Sequence, residues 1–218
     1  MAAICRGHLA RPGFVSLRTY CAALSAGLVA TLGIAGQVIA QTDRAGVEQQ
    51  TLSVPAEQAA WAALRGGAIV VFRHANAPGG GDPADMRLGD CATQRNLDAS
   101  GREQARRIGE RLRQRKIQVG AVWSSQWCRT RQTAELLKVG EVRDMPAFNS
   151  FFGDRDREPA QTAAARELLL AWRGPAALVV VTHQVNINAL SGVSPVSGEG
   201  VVLRRAGTQL ELVGRLLP

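Results

Sequence analysis

The stretch Ile69-Val70-Val71-Phe72-Arg73-His74 decides the fold, because an unbroken apolar run stops at two polar residues. Apolar runs without alternation are typical of a central strand that is covered on both faces. Leu178-Val179-Val180-Val181-Thr182-His183 repeats the pattern further along the chain, again with histidine last. The shorter run Ala121-Val122-Trp123 ends in the same way at Ser124-Ser125. These runs predict the buried strands of one sheet.

Helical patterns separate these strands. Ser100-Gly101-Arg102-Glu103 is a capping box that opens a helix. Apolar strands that alternate with helices predict a three-layer α/β/α sandwich with a mainly parallel central sheet. The remaining predicted helices cover residues 55–64, 129–138, 162–172 and 184–190, and the remaining predicted strands cover 141–145, 201–203 and 210–213, the last two as edge strands.

The first forty residues differ from the rest of the chain. They contain Arg6, Arg11 and Arg18 but no acidic residue, and an apolar stretch then runs to Val38-Ile39-Ala40. A basic segment, an apolar segment and a small-residue end predict a signal peptide over 1–40, and the alternative is an uncleaved membrane anchor. We therefore expect a periplasmic or secreted protein without stable membrane insertion after cleavage. The polar residues 41–53 are predicted to be a flexible linker.

The composition limits the partners of residues 41–218. This part carries 23 basic and 18 acidic residues, a formal charge of +5, which suits an anionic substrate. Aromatic residues are few, and no basic cluster is interleaved with them, so nucleic acid is not an expected partner. The sequence does not indicate an oligomeric state.

Two cysteines, Cys91 and Cys128, follow the leader. An exported protein meets an oxidising compartment, where an even pair is usually bridged. We therefore expect a disulfide between them, and two buried free thiols are the alternative.

After the leader, the only histidines are His74 and His183, each directly after a predicted buried strand. Ligands bind at the carboxyl ends of the strands in open α/β sheets, so both imidazoles are expected to face one cavity. Metal binding would need more ligands, and no His/Cys/Asp cluster supplies them. Neither a nucleophile elbow nor a Walker sequence is present.

Arginine accompanies these histidines. Arg73 precedes His74, and Arg129 lies in the first turn of the helix that follows Ser124-Ser125. Guanidinium forks match phosphate oxygens, and a helix N-terminus also favours an anion. Two arginines and two histidines around one cavity predict a phosphoryl site that uses no metal and no cofactor.

Four blocks of the sequence resemble those of one known family. They are Phe72-Arg73-His74-Ala75, the helix start Asn96 to Ala105, the block Ser124-Ser125-Gln126-Trp127-Cys128-Arg129-Thr130-Arg131-Gln132-Thr133-Ala134, and Thr182-His183. In order over about residues 68–190, they are similar to the motifs of the histidine phosphatase (phosphoglycerate mutase-like) superfamily, branch 1. The resemblance makes 54–218 a histidine phosphatase domain.

The resemblance also implies roles for the four residues. His74 would attack phosphorus and become phosphohistidine, while Arg73, Arg129 and His183 would hold the non-bridging oxygens. Water would then hydrolyse the phosphohistidine. Ala75 stands where the family usually has glycine, a minor change.

The general acid is the main departure from the family. The position where members carry a carboxylate falls near Asn149 or Ser150, and neither is acidic. Asp154 is the nearest candidate acid. A long loop over residues 75–96 would cover the pocket, and its carboxylates Asp82, Asp85 or Asp90 are alternatives. Asn76, Arg87 and Arg95 on this loop are candidate substrate-binding residues.

These observations predict an exported phosphatase that hydrolyses phosphate monoesters of small polar molecules. One alternative is a non-catalytic module that binds phosphate or phosphosugars and has lost turnover together with its acid. A phosphomutase is a further alternative, which export from the cytoplasm argues against.

Overall fold

The computed structural model describes residues 55–174 and 176–218. The predicted signal peptide and linker, residues 1–53, lie outside the described residues. Helix α1 covers residues 55–65. The other helices are α2 (Ala99–Gln114), α3 (Cys128–Leu137), α4 (Glu158–Ala171) and α5 (Gln184–Ser191).

Six strands form one sheet in the order β3-β2-β4-β1-β5-β6. The first four strands in that order are parallel to one another, whereas β5 is antiparallel to both β1 and β6. The predicted mainly parallel sheet is therefore confirmed. The strands are β1 (Ile69–Arg73), β2 (Val119–Ser124), β3 (Val142–Asp144), β4 (Ala177–Thr182), β5 (Gly200–Ala206) and β6 (Gln209–Leu216).

The prediction that 201–203 forms an edge strand was wrong. Strand β5 lies between β1 and β6, because it turns through Gly207 into an antiparallel hairpin with β6. Val201, Val202 and Leu203 are all buried. Their unbroken apolar run is the pattern of an interior strand.

Helices cover both faces of the sheet, which makes the three predicted layers. Val70 and Phe72 of β1 pack on the side of α1, α2 and α3, together with Leu112 and Leu137. Ile69 and Val71 point to the other side, where α4 and α5 contribute the residues Ala165, Leu169, Ile187 and Leu190. Successive side chains of a strand point to opposite faces, so a strand buried on both sides must be apolar throughout.

Two features of this packing position the site. Strands β1 and β4 are parallel neighbours with Arg73 opposite Thr182, so the next residues, His74 and His183, emerge together at one edge of the sheet. Helix α2 approaches the loop after β1 closely at Gly101, where a Cβ would lie 2.0 Å from the carbonyl oxygen of Asn76. Only glycine permits this approach.

Within residues 55–174 and 176–218, none of the helices combines the length and the apolar character that a membrane crossing requires.

Candidate active site

The two histidines lie side by side at the carboxyl edge of the sheet, as the sequence predicted. His74 is 2% exposed and His183 is 4% exposed. Their ring centroids are 5.5 Å apart, with an angle of 66° between the ring planes. The adjacency follows from the register of β1 and β4, since the residue after each strand meets its counterpart.

The hydrogen bond of His74 determines which of its nitrogens can react. Nδ1 lies 2.8 Å from the carbonyl oxygen of Ala75. A carbonyl oxygen only accepts, so Nδ1 carries the hydrogen and Nε2 keeps its lone pair. Burial, together with the charges of Arg129, Arg73 and Arg95, lowers the pKa of His74 to about 3, although the bond to Ala75 opposes this shift. His74 is therefore a neutral imidazole with a free nucleophilic nitrogen at neutral pH.

His183 has the opposite tautomer. Arg129 donates a hydrogen bond to its Nδ1 at 3.4 Å, so its Nε2 carries the hydrogen and donates to Oγ of Ser125 at 2.8 Å. Burial and then the charge of Arg129 hold the pKa of His183 well below its usual value. His183 is neutral as well, and Ser125 fixes the orientation of its ring.

A cavity of about 200 Å³ opens beside the two histidines. Its lining includes three guanidinium groups, Arg73, Arg95 and Arg129, and one carboxylate, Asp82, for a net charge of +2. The lining is completed by Gly79, Gly80, Gly81, Ser150, Phe152, Gln184 and Val185.

The three arginines of the cavity share an unusual property. The Nε of each is buried and has no hydrogen-bond partner among the described residues. Buried donors without partners are costly, and few occur in folded proteins. Burial and then repulsion from Arg129 lower the pKa values of Arg73 and Arg95. An anion in the cavity would relieve the repulsion between these arginines, because it balances their charge.

Asp82 already contacts one of these arginines. Its two carboxylate oxygens accept hydrogen bonds from both terminal nitrogens of Arg129, one of them at 3.0 Å. The indole Nε1 of Trp127 donates to the same carboxylate at 3.0 Å. Burial raises the pKa of Asp82, but these hydrogen bonds and the charge of Arg129 outweigh burial, so the pKa is lowered. Asp82 is therefore ionised at neutral pH.

A disulfide holds the loop of Asp82 against the helix of Arg129. Cys91 and Cys128 are bonded, with their Cα atoms 5.7 Å apart, as the sequence predicted. Gln94 reinforces the contact, because its Oε1 accepts a hydrogen bond from the backbone N–H of Cys128 at 2.9 Å. Arg129 lies in the first turn of α3, directly after the bridged cysteine. Loop 75–96 and α3 are thus held together at the carboxyl edge of the sheet.

The structure brings some of the other predicted site residues to the cavity. Arg95 lines it and donates hydrogen bonds to the carbonyl oxygens of Ala77 and Gly79. Arg87 is exposed and pairs with Asp90 at 2.9 Å. Asn76 donates its side-chain amide to Asp98 at 2.8 Å. Neither Arg87 nor Asn76 is among the cavity-lining residues.

Of the four candidate acids, only Asp82 lines the cavity. Asp154 is exposed. Its backbone N–H donates a hydrogen bond to the carbonyl oxygen of Phe151, and the turn that this bond closes places Phe152, rather than Asp154, at the mouth of the cavity. Asp85 is exposed on the loop, and Asp90 accepts a hydrogen bond from the N–H of Ala92.

Sequence reasoning missed several residues of the site. Gln184 and Val185 line the cavity directly after His183, and their position beside a strand-end histidine could have identified them. Phe152, 62% exposed, forms part of the mouth, but nothing in the sequence distinguishes it from Phe151, which is buried. Ser125, which directly follows β2, contacts His183.

No group of three or more His, Cys, Asp or Glu side chains within residues 55–174 and 176–218 has the arrangement of a metal site. That the protein requires no metal remains a prediction.

The family described as histidine phosphatase superfamily (branch 1) matches residues 69–176 of the chain. This match and the fold together identify the chain as a member of the histidine phosphatase superfamily. Comparison with curated proteins returned no match.

Solved structures share this fold. The protein histidine phosphatase SixA complexed with tungstate is 18% identical, with 69% of this chain and 97% of that chain covered and a TM-score of 0.51. Bacillus stearothermophilus YhfR is 16% identical over 68% and 96% of the two chains, with a TM-score of 0.51. Phosphoserine phosphatase from Entamoeba histolytica, in complex with 3-phosphoglyceric acid, is 12% identical over 68% and 96%, with a TM-score of 0.50. At these identities the comparison shows the fold alone.

Proposed function

We propose that this protein is an exported phosphatase that hydrolyses small phosphate monoesters through a phosphohistidine on His74. The observation that carries the proposal is the cavity itself. A neutral imidazole with a free Nε2 lies beside arginines whose buried Nε–H groups have no partner among the described residues. A dianionic phosphoryl group would supply the electrophile for this nitrogen and would balance the excess positive charge of the lining.

The first chemical step follows from the tautomer of His74. Its Nε2 attacks phosphorus, so a P–N bond forms while the P–O bond to the leaving group breaks. The carbonyl of Ala75 accepts from Nδ1–H and stabilises the positive charge that develops on the ring. Water then attacks the phosphohistidine, the P–N bond breaks, and inorganic phosphate leaves.

Arg73 and Arg129 stabilise the charge that spreads over the phosphoryl oxygens during both steps. His183 contributes to the same cluster. A phosphate dianion beside its Nδ1 favours the imidazolium, which can donate to a phosphoryl oxygen while Nε2–H remains on Ser125. Ser125 therefore acts as the positioning residue for His183.

Two neighbours of the same fold support a phosphorylated ligand. SixA is described with tungstate, a tetrahedral oxyanion with the shape of phosphate, and the Entamoeba histolytica phosphoserine phosphatase with 3-phosphoglyceric acid. The net positive charge of the cavity and its volume of about 200 Å³ suit a small anionic substrate.

Export to the periplasm or the medium is supported by the basic and apolar leader 1–40 and by the disulfide. Disulfides persist in oxidising compartments and are rare in the cytosol. The N-terminal residue of protein recovered from the periplasm or medium tests this part of the proposal. We expect it to be Gln41, and retention of the leader in a membrane fraction would contradict it.

The activity is tested with a panel of phosphate esters. We expect the wild-type protein to release inorganic phosphate, His74→Ala to lose all turnover above background, and Arg129→Ala to lose about 10²–10³ in kcat. Arg87→Ala is the matched control, because it removes an exposed arginine outside the cavity and should leave kcat unchanged. Tungstate binding without turnover of any ester would instead support a non-catalytic binding module.

A further inference from the structure

Asp82 is the only carboxylate among the residues that line the cavity. Its side chain is 22% exposed, and its partner Arg129 is 3% exposed. The pair is bidentate, so it engages both terminal nitrogens of Arg129. This carboxylate occupies the fork that, on the proposed function, must bind phosphoryl oxygens.

A guanidinium fork matches one planar carboxylate or one phosphate edge at a time. A substrate phosphate can therefore reach the fork of Arg129 only if Asp82 moves away. A phosphate dianion is the stronger competitor, because it carries twice the charge of a carboxylate at neutral pH and the lining of the cavity holds two further guanidinium groups, Arg73 and Arg95.

The loop around Asp82 allows such a displacement. Gly79 and Gly81 precede Asp82 with φ values of +105° and +130°, a backbone region that glycine reaches without strain. Gly80, between them, has open space where a side chain would be. The disulfide at Cys91 then limits how far the loop can travel from Cys128. A displaced Asp82 must consequently stay close to the cavity.

We propose that the substrate phosphate displaces Asp82 from Arg129, and that Asp82 then protonates the leaving oxygen. The inference rests on the proposed function, and it supplies the general acid that Asn149 and Ser150 cannot supply.

Displacement changes the protonation of Asp82 in the required direction. The hydrogen bonds from Arg129 and Trp127 that stabilise the carboxylate are lost, and a phosphate dianion becomes its neighbour. Both changes favour the protonated acid. The charge of Arg95, which lines the same cavity, still favours the ionised carboxylate, so the phosphate must lie between Arg95 and Asp82.

The proton balance closes over one turnover. On displacement, the Asp82 carboxylate takes up one proton from solvent. The carboxyl group then donates this proton to the bridging oxygen as the P–O bond breaks and His74 Nε2 bonds phosphorus, so the alcohol leaves neutral. The resulting carboxylate takes a proton from the water that attacks the phosphohistidine. When phosphate departs, Asp82 loses this proton to solvent and pairs again with Arg129.

The inference predicts effects of opposite sign from one substitution. Asp82→Asn and Asp82→Ala should bind inorganic phosphate and tungstate at least about tenfold more tightly in titration calorimetry, because Arg129 no longer has a charged competitor. The same variants should lose about 10²–10⁴ in kcat/KM for benzyl phosphate, whose alkoxide needs a proton. For 4-nitrophenyl phosphate, whose leaving group needs no proton, the loss should be less than about tenfold.

Asp85→Asn is the matched control, because it removes the same charge from an exposed position on the same loop. It should change neither anion affinity nor the ratio of the two kcat/KM values. Unchanged or weaker phosphate binding by the Asp82 variants would overturn the displacement, and an equal loss on both esters would overturn the acid role. Wild-type protein that turns over neither ester would instead contradict the proposed function, while the anion titration would still test the displacement.

Discussion

The disulfide between Cys91 and Cys128 allows a prediction whose magnitude follows from the fold. The bridge closes a loop with a sequence separation of 37 residues. On the loop-entropy model, closing a loop of this length stabilises the folded state by about 4 kcal/mol, because it restricts the unfolded chain. The Cys91→Ser/Cys128→Ser double variant should lose about this much free energy of unfolding.

Guanidinium denaturation of the wild type and the double variant, each with and without reductant, measures this loss. Reduced wild-type protein should match the double variant, and reductant should leave the double variant unaffected. The reduced protein should keep its fold, because Gln94 still holds the loop to α3. A change below about 1 kcal/mol in both comparisons would refute the reasoning, since the bridge would then impose no constraint on the unfolded chain.

Three further predictions concern the site and its support. Burial lowers the pKa of His74 to about 3, so between that pH and about 6.5 the unfolded chain holds a proton that the folded chain lacks. The free energy of unfolding should therefore fall on acidification, and His74 should contribute up to about 1.4 kcal/mol per pH unit to this fall. In denaturation experiments at pH 4.5 and 6.5, His74→Gln should show a smaller fall between the two pH values than the wild type. Arg95→Ala should raise KM about tenfold or more for small esters in steady-state assays, because it removes a cavity charge, whereas Arg87→Ala should not. Gly101→Ala should destabilise the fold by about 1–3 kcal/mol in thermal unfolding, because its Cβ would lie 2.0 Å from a backbone oxygen, and Gly80→Ala, which has open space, should be neutral.

The parts of the fold that the sequence predicts best are those that depend on local pattern. The apolar runs that end at His74 and His183 form buried strands, as a strand covered on both faces is apolar throughout, and the two strands are parallel neighbours. The position of β5 in the sheet was harder to predict from the sequence. Whether an apolar strand lies inside a sheet or at its edge depends on its pairing with β6, which the run 201–203 does not reveal by itself.

The residues of the site also differ in how well the sequence predicts them. Arg73 and His74 lie at the end of β1, His183 follows β4, and Arg129 lies in the first turn of the helix after β2. The topology of the sheet therefore brings these four residues together. The general acid is different, because its place depends on how a long loop folds back. Asp154 lies nearest to the family position along the chain, yet a local turn exposes it, whereas Asp82 reaches the cavity through contacts with Arg129 and Trp127. No sequence pattern encodes those contacts.

The central claim is that His74 carries the phosphoryl group, and trapping that intermediate tests it most directly. Protein mixed with 4-nitrophenyl phosphate and quenched in alkali, where phosphohistidine survives, would be digested and its peptides analysed by mass spectrometry. We predict one added phosphoryl group on His74, lost on brief acid treatment and absent from His74→Ala. Continued turnover by His74→Ala, or a phosphoryl group on any other residue of the active wild type, would contradict the claim.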